Sequence, residues 1–164
     1  MSKLIILQGI PASGKSIIAK QWQAEDPTKR VIICKDSFRL GRGQYWIPEQ
    51  EDYIKKLEEF ALDRAIKAGF DIILDGTNFN KDYLNGIIMM IDYWNNLSSI
   101  NHYEIEFWLV HADKDECIRR DMNIEDRDHF VGTEVIEMFY NKYLDWCKTH
   151  NIEVKSDGIY KYKL

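Results

Sequence analysis

The stretch LIILQGIPASGKS, residues 4–16, limits the possible folds of this chain more than any other. An apolar run stops at Gly9, and the eight residues from Gly9 to Ser16 match G-x-x-x-x-G-K-[ST] at every fixed position. That pattern works only between a strand and a helix. Residues 3–8 read as a short buried strand, and Lys15 to Ala24 as a helix closed by Glu25-Asp26-Pro27. In such a loop, glycines permit backbone angles closed to other residues, the amides converge on a phosphate, and the helix dipole adds to the attraction. Gly9, Ala12, Ser13, Gly14, Lys15, Ser16 and Ile17 are therefore the candidate lining of an ATP (or other NTP) site. Lys15 is placed to reach the β- and γ-phosphates, and the Ser16 hydroxyl to bind Mg²⁺.

The rest of the chain alternates strands and helices. Arg30 to Lys35 is an apolar, β-branched second strand, followed by the polar segment SFRLGRGQYW. Glu49 to Lys67 has helical spacing, with Tyr53, Leu57, Phe60, Ala61 and Ala65 on one stripe. Asp71 to Leu74 is a third strand, a helix capped by Asn80 runs to about Asn96, and Tyr103 to Val110 is a fourth strand. Asp113 and Glu116 have the spacing of a capping box. A charged loop over residues 121–131 leads to a helix from Thr133 to Thr149, and the tail around Asp157-Gly158 suits a hairpin. This order implies an α/β fold of three layers, with a parallel sheet between helices, which with the phosphate loop is a P-loop NTPase arrangement, and a helical lid around residues 119–131. The 164 residues suit one domain.

In such sheets ligands bind at the carboxyl ends of the strands. Asp36 ends the second strand and Asp75 the third, so both face the phosphate loop. A phosphoryl acceptor must lose a proton, and Asp36, in a segment open enough to admit one, is the candidate general base. Asp75, before Gly76-Thr77-Asn78, is the candidate metal-side carboxylate with Ser16. A strand-end aspartate alone more simply caps a turn; the adjacent phosphate loop favours function. Arg39 and Arg42 are candidate ligands of an acceptor phosphate, with Thr77 and Asn78 beside them, and Tyr45 and Trp46 can stack on a base. Arg119, Arg120 and Arg127 flank the polar loop, where arginine stabilises charge on a transferring phosphoryl group; neighbouring Asp121, Glu125, Asp126 and Asp128 offer them plain surface pairing instead. Tyr140, Tyr143 and Trp146 have the spacing of a core stripe.

Composition excludes several classes. A net charge of −5 argues against a protein that coats nucleic acid, but leaves room for a short contact with a strand end. Cys34, Cys117 and Cys147 form no CxxC pair, so they read as reduced apolar residues. No window is apolar for long enough to cross a membrane, and no signal-peptide core follows the N-terminus, so a soluble, cytoplasmic protein (of host or phage-infected cell) is expected. Trp46, Trp94, Tyr140 and Trp146 permit a homo-oligomer without requiring one.

With these residues in hand, the chain resembles the P-loop kinase domain of phage-type polynucleotide kinases. The likeness rests on IILQGIPASGKS, KDSFR, LDGTNFN and CIRRD…R…VGTEVIEMFYNKYL, spanning roughly residues 3–146. It implies transfer of the ATP γ-phosphate to a 5′-hydroxyl, with Lys15 and Ser16 on phosphates and metal. It also implies Asp36 activating the hydroxyl, Arg39 on the acceptor phosphate, and Arg127 or Arg120 on the donor. The family's lid runs R-N-x-x-R, whereas here DMNIED separates Arg120 from Arg127. No DxDGT phosphatase motif is present in this sequence, so 3′-phosphatase activity is not expected of it.

Two other functions use the same residues. A kinase of a small molecule, such as a nucleoside, sugar acid or antibiotic, would share the donor site and the base. A nucleotide-dependent switch would bind a partner protein and dispense with Asp36.

Overall fold

The computed structural model describes residues 1–41, 44–97, 102–123 and 130–164. Strands β1 (Ser2–Gln8), β2 (Arg30–Cys34), β3 (Asp71–Asp75) and β4 (Tyr103–His111) lie parallel, and β5 (Gly158–Tyr162) joins them antiparallel. Their order is β2-β3-β1-β4-β5, with β1 central between β3 and β4. The chain leaves β1 for the outer β2, returns to β3, then crosses β1 to reach β4. The loop after β1 therefore sits where the strand order reverses, the position at which open parallel sheets bind ligands.

Helices cover both faces: α1 (Lys15–Glu25), α2 (Lys35–Leu40), α3 (Glu51–Ala68), α4 (Lys81–Leu97), α5 (Lys114–Met122) and α6 (Thr133–Thr149), with a 3-10 turn at Pro48–Gln50. Because strand side chains alternate, β1 sends Leu4 and Ile6 to one face and Ile5 and Leu7 to the other. The first pair packs with Ile72, Leu74, Phe107, Leu62 and Ile66 of α3, Ile87 and Ile91 of α4, and Trp146 of α6. The second packs with Ile73, Trp108 and Ala19 of α1. A further cluster of Ile10, Leu109, Cys117, Ile136 and Tyr143 seats the phosphate loop against α5 and α6.

Several expectations change. The segment after β2 begins with helix α2, whose Phe38 packs on the core and whose Asp36 and Arg39 pair one turn apart. The buried stripe of α3 is Ile54, Glu58, Leu62, Ala65 and Ile66, while Tyr53 and Phe60 are exposed. Glu58 hid that stripe: it is 2% exposed, yet Tyr83 donates to it at 2.6 Å and Lys35 pairs with it at 3.2 Å. Burial raises its pKa, and Lys35 and Tyr83 oppose the rise.

The tail forms one strand on β4, not a hairpin. Residues before β5 are turned aside because the Tyr160 hydroxyl accepts from the Lys155 and Ser156 amides. Asp113 accepts from the Glu116 amide as expected, but the Glu116 carboxylate takes Arg119 and Arg120, so the box is one-sided. Among the aromatics considered for an interface, Trp146 is buried, Trp94 and Tyr140 are half-buried, and Trp46 is exposed. Tyr143 and Trp146 are core residues. Among the described residues, no helix is long and apolar enough to cross a membrane.

Candidate active site

The loop from Gly9 to Ser16 joins β1 to α1. Gly9 (φ 153°) and Gly14 (φ 97°) hold positive φ, as does Ala12 at 64°. A Cβ on Gly9 would lie 2.6 Å from the Val110 carbonyl oxygen, so only glycine fits between loop and β4. Around Gly14 the space is open. The Lys15 ammonium donates to the Ile10 carbonyl at 2.7 Å and lies 3.4 Å from the Ser13 hydroxyl. Lys15 thus folds over the cradle that its own loop forms. Ile17 opens α1 on the exposed side, its amide bonded to the Gly14 carbonyl.

Ser16 donates its hydroxyl to Asp75 Oδ2 at 2.7 Å. Asp75 is buried; burial raises its pKa against the pull of Lys15 and Ser16, and Asp36 adds to the rise. The donor set fits Mg²⁺ with a nucleoside triphosphate. One hydroxyl and one carboxylate suit an ion that keeps several waters and takes phosphate oxygens. Among the described residues there is no group of three or more His, Cys, Asp or Glu that could hold a metal alone.

Asp36 sits in the first turn of α2, two residues past Cys34, which is the register partner of Asp75. Its Oδ1 accepts from Arg39 Nη1 and from the Tyr45 hydroxyl, each at 2.7 Å. Among the described residues no donor reaches Oδ2. Arg39 also holds Glu51 with Nε at 2.9 Å and Nη2 at 2.5 Å. Burial works against the Arg39 charge, but Glu51, Tyr45 and Asp36 outweigh it and raise the pKa. Guanidinium has five N–H donors, so these three bonds leave two.

Arg120 reaches the loop directly: Nη1 donates to the Ala12 carbonyl at 3.3 Å while Nε holds Glu116 at 2.8 Å. Arg119 points outward and pairs with Glu116. Arg42 and Arg127 lie outside the described residues. The Thr77 carbonyl accepts from the Gly9 amide at 3.4 Å. Asn78, at φ 51°, donates its side-chain amide to the Leu7 and Leu74 carbonyls. That amide is committed to tying β1 to β3.

The roles of three contributors, Glu51, Asp121 and Gln8, escaped the sequence reading. Glu51 orients Arg39, and Tyr45, read as able to stack on a base, gives its hydroxyl to Asp36. Asp121, read as surface charge, is buried and accepts from the Val131 and Gly132 amides, fixing the start of α6. Gln8, fully buried, donates to the Asn78 carbonyl at 2.8 Å and receives the Tyr162 hydroxyl. A polar residue ending an apolar strand was the signal for Gln8.

Comparison with known proteins agrees with this fold. A chain in the Pnkp1/Rnl/Hen1 RNA repair complex superposes with a TM-score of 0.73 at 25% identity, covering 91% of this chain and 46% of that one. This matches the resemblance read from the sequence. A chain of the PezAT toxin-antitoxin system of Streptococcus pneumoniae shares the fold, with a TM-score of 0.56 at 19% identity over 93% of this chain and 65% of that one. Human NEDD4-binding protein 2 is 35% identical over 80 residues, 46% of this chain and 4% of its own length. The L-seryl-tRNA(Sec) kinase of Methanococcus maripaludis is 30% identical over 79 residues, 46% of this chain and 31% of its own length. The chain thus spans less than a third of either curated relative. Its fold is the kinase-type P-loop fold, and, matched over residues 1–146, it belongs to the family described as Chromatin associated protein KTI12.

Proposed function

We propose that this chain transfers the γ-phosphate of ATP to the 5′-hydroxyl of a nucleic acid, with Asp36 as general base. One observation carries the reading. Asp36 lies in the first turn of α2, two residues past Cys34, the register partner of Asp75, and so on the sheet edge that carries the Ser16–Asp75 pair, which supports a base beside the donor-phosphate cradle. Likeness to a chain of an RNA repair complex supports a nucleic-acid acceptor.

Bound ATP with Mg²⁺ supplies the phosphoryl group and a cation that spreads its charge. Lys15 exchanges the Ile10 carbonyl for phosphate oxygens. Ser16 and Asp75 hold the ion's protein side. Arg39 and Tyr45 occupy Oδ1 of Asp36, so Oδ2 takes the acceptor's proton as the acceptor oxygen bonds to the γ-phosphorus and the bond from that phosphorus to the bridging oxygen breaks, releasing ADP. The two remaining N–H groups of Arg39 bind the acceptor phosphate. Arg120 stabilises charge from the loop side, with Arg127 and Arg42 assigned from sequence. Positioning and charge stabilisation do most of this work.

The test is transfer of label from γ-labelled ATP to a 5′-hydroxyl oligonucleotide, with Asp36→Asn alongside. Label on the oligonucleotide, lost in the variant, supports the reading; label on small hydroxyl compounds alone moves the acceptor to that class. The tRNA kinase relative favours a second reading, a hydroxyl carried elsewhere on an RNA. Seryl-tRNA in the same assay separates the two.

A further inference from the structure

Two adjacent aromatic residues on the acceptor side both lie near Arg39, whose guanidinium carbon is 5.7 Å from the centre of the Tyr45 ring and 5.4 Å from that of Trp46. Tyr45 spends its hydroxyl on Asp36 at 2.7 Å. Trp46 is 53% exposed. The indole thus has a cation beside it while about half of the residue's surface stays exposed.

We infer that Trp46 is the platform on which the base at the acceptor's 5′ end stacks. This deepens the reading above and rests on it. Asp36 then takes the hydroxyl, Arg39 the phosphate and Trp46 the base of a single nucleotide. A half-exposed indole leaves aromatic surface for a base, and every base offers a π-face to it. The chain's net charge of −5 strengthens the inference. A chain this acidic gains no general attraction for a polyanion, which favours a short contact of one stacked base and one or two phosphates. The acceptor KM should then depend weakly on salt, with a log–log slope of roughly 0.7 per phosphate for a single strand.

The test is a cycle with the full chain and ATP. Wild type, Trp46→Ala and Trp46→Phe each receive a 5′-hydroxyl oligonucleotide and the same strand with an abasic 5′-terminal residue. Removing the base should raise the wild-type acceptor KM by roughly 5- to 150-fold, the range for one stacked base. Trp46→Ala should raise it by a similar factor, and combining both changes should add little. Trp46→Phe, which keeps an aromatic face, should retain most of the base's contribution.

Equal losses for Trp46→Ala on both strands would mean the ring only supports Arg39, and would overturn the platform. So would no loss on either strand, or a phenylalanine variant no better than alanine. Wild type that labels neither strand but does label another hydroxyl compound sinks the parent reading, and the platform with it. That outcome is distinguishable because it appears before any variant is made.

Discussion

The Ser16 hydroxyl donates to Oδ2 of Asp75 at 2.7 Å, linking the last residue of the phosphate loop to the end of β3. Burial raises the Asp75 pKa above the ordinary 3.8; Lys15 and Ser16 oppose this, and Asp36 adds to it. The native carboxyl thus binds a proton more readily than the unfolded one. Its contribution to stability is greatest below the unfolded value and falls as pH rises through the folded one. Asp75→Asn removes that loss. The variant should be the more stable protein at pH 7, with the difference closing towards pH 4. It should also need more Mg²⁺, by roughly 10- to 100-fold, the cost typical of disturbing a metal's supporting ligands. Thermal melts across pH and a Mg²⁺ titration of transfer check both; a stability difference independent of pH would refute the argument.

Asp36 and Tyr45 should separate in degree. Asp36→Asn removes the proton acceptor and should lower kcat by roughly 10²- to 10⁴-fold, the range for a general base. Tyr45→Phe removes one of two donors to Oδ1 and leaves Arg39 in place. A hydrogen bond to a charged group is worth about 1.5–3 kcal/mol, so kcat should fall roughly 10- to 100-fold. ATP binding should persist in both. Steady-state kinetics with equilibrium nucleotide binding measures the split; a Tyr45→Phe enzyme with unchanged kcat would show that Arg39 alone holds the base.

What the sequence disclosed and what it withheld follow from distance along the chain. The phosphate loop is eight contiguous residues, and β1 and α1 flank it. Asp36 and Asp75 were legible because parallel strands bring their carboxyl ends together. The withheld features are polar side chains whose partners lie far away in the sequence. Glu58 looks like a solvent residue until Tyr83, 25 positions on, and Lys35 meet it, and so the buried face of α3 was read about one residue out of phase. Gln8 meets Tyr162 across 154 positions. The side chains of Asn78 and Asp121 satisfy backbone groups, which no periodicity reveals. Tyr45 and Trp46 were both read as able to stack on a base; that the Tyr45 hydroxyl goes to Asp36 is a contact no local pattern reveals.

Glu51 should matter to acceptor binding although it bears the wrong charge for a phosphate ligand. Its carboxylate grips Arg39 through Nε and Nη2, and the paired side chains are largely withdrawn from water. Glu51→Gln keeps one acceptor oxygen but brings an amide against the guanidinium. The variant should lose about 1–3 kcal/mol of stability and show an acceptor KM raised roughly tenfold, with the ATP KM unchanged. Arg39→Lys should be worse, since an ammonium cannot hold Glu51 and Asp36 in one plane. Denaturant unfolding and kinetics at varied acceptor concentration test this; an improved acceptor KM in Glu51→Gln would show that Glu51 competes with the substrate instead of orienting Arg39.

The two glycines of the loop should fail differently. At Gly9, φ is 153° and an added Cβ would meet the Val110 carbonyl at 2.6 Å and the Ser13 hydroxyl at 2.8 Å. The Val110 oxygen belongs to β4 and cannot retreat without breaking the sheet. Gly9→Ala should therefore displace the loop, lower stability by about 1–3 kcal/mol, and abolish nucleotide binding. At Gly14, no atom lies within 4 Å of the added Cβ, so the cost is the backbone conformation at φ 97° alone. Gly14→Ala should cost about 1–2 kcal/mol and leave the sheet intact. Because Gly14 belongs to the phosphate loop itself, the change should weaken ATP binding more than it weakens the fold. Melting temperature against ATP affinity for the two variants is the check. A Gly9→Ala protein that melts and binds like wild type would mean that the loop has room the structure does not show.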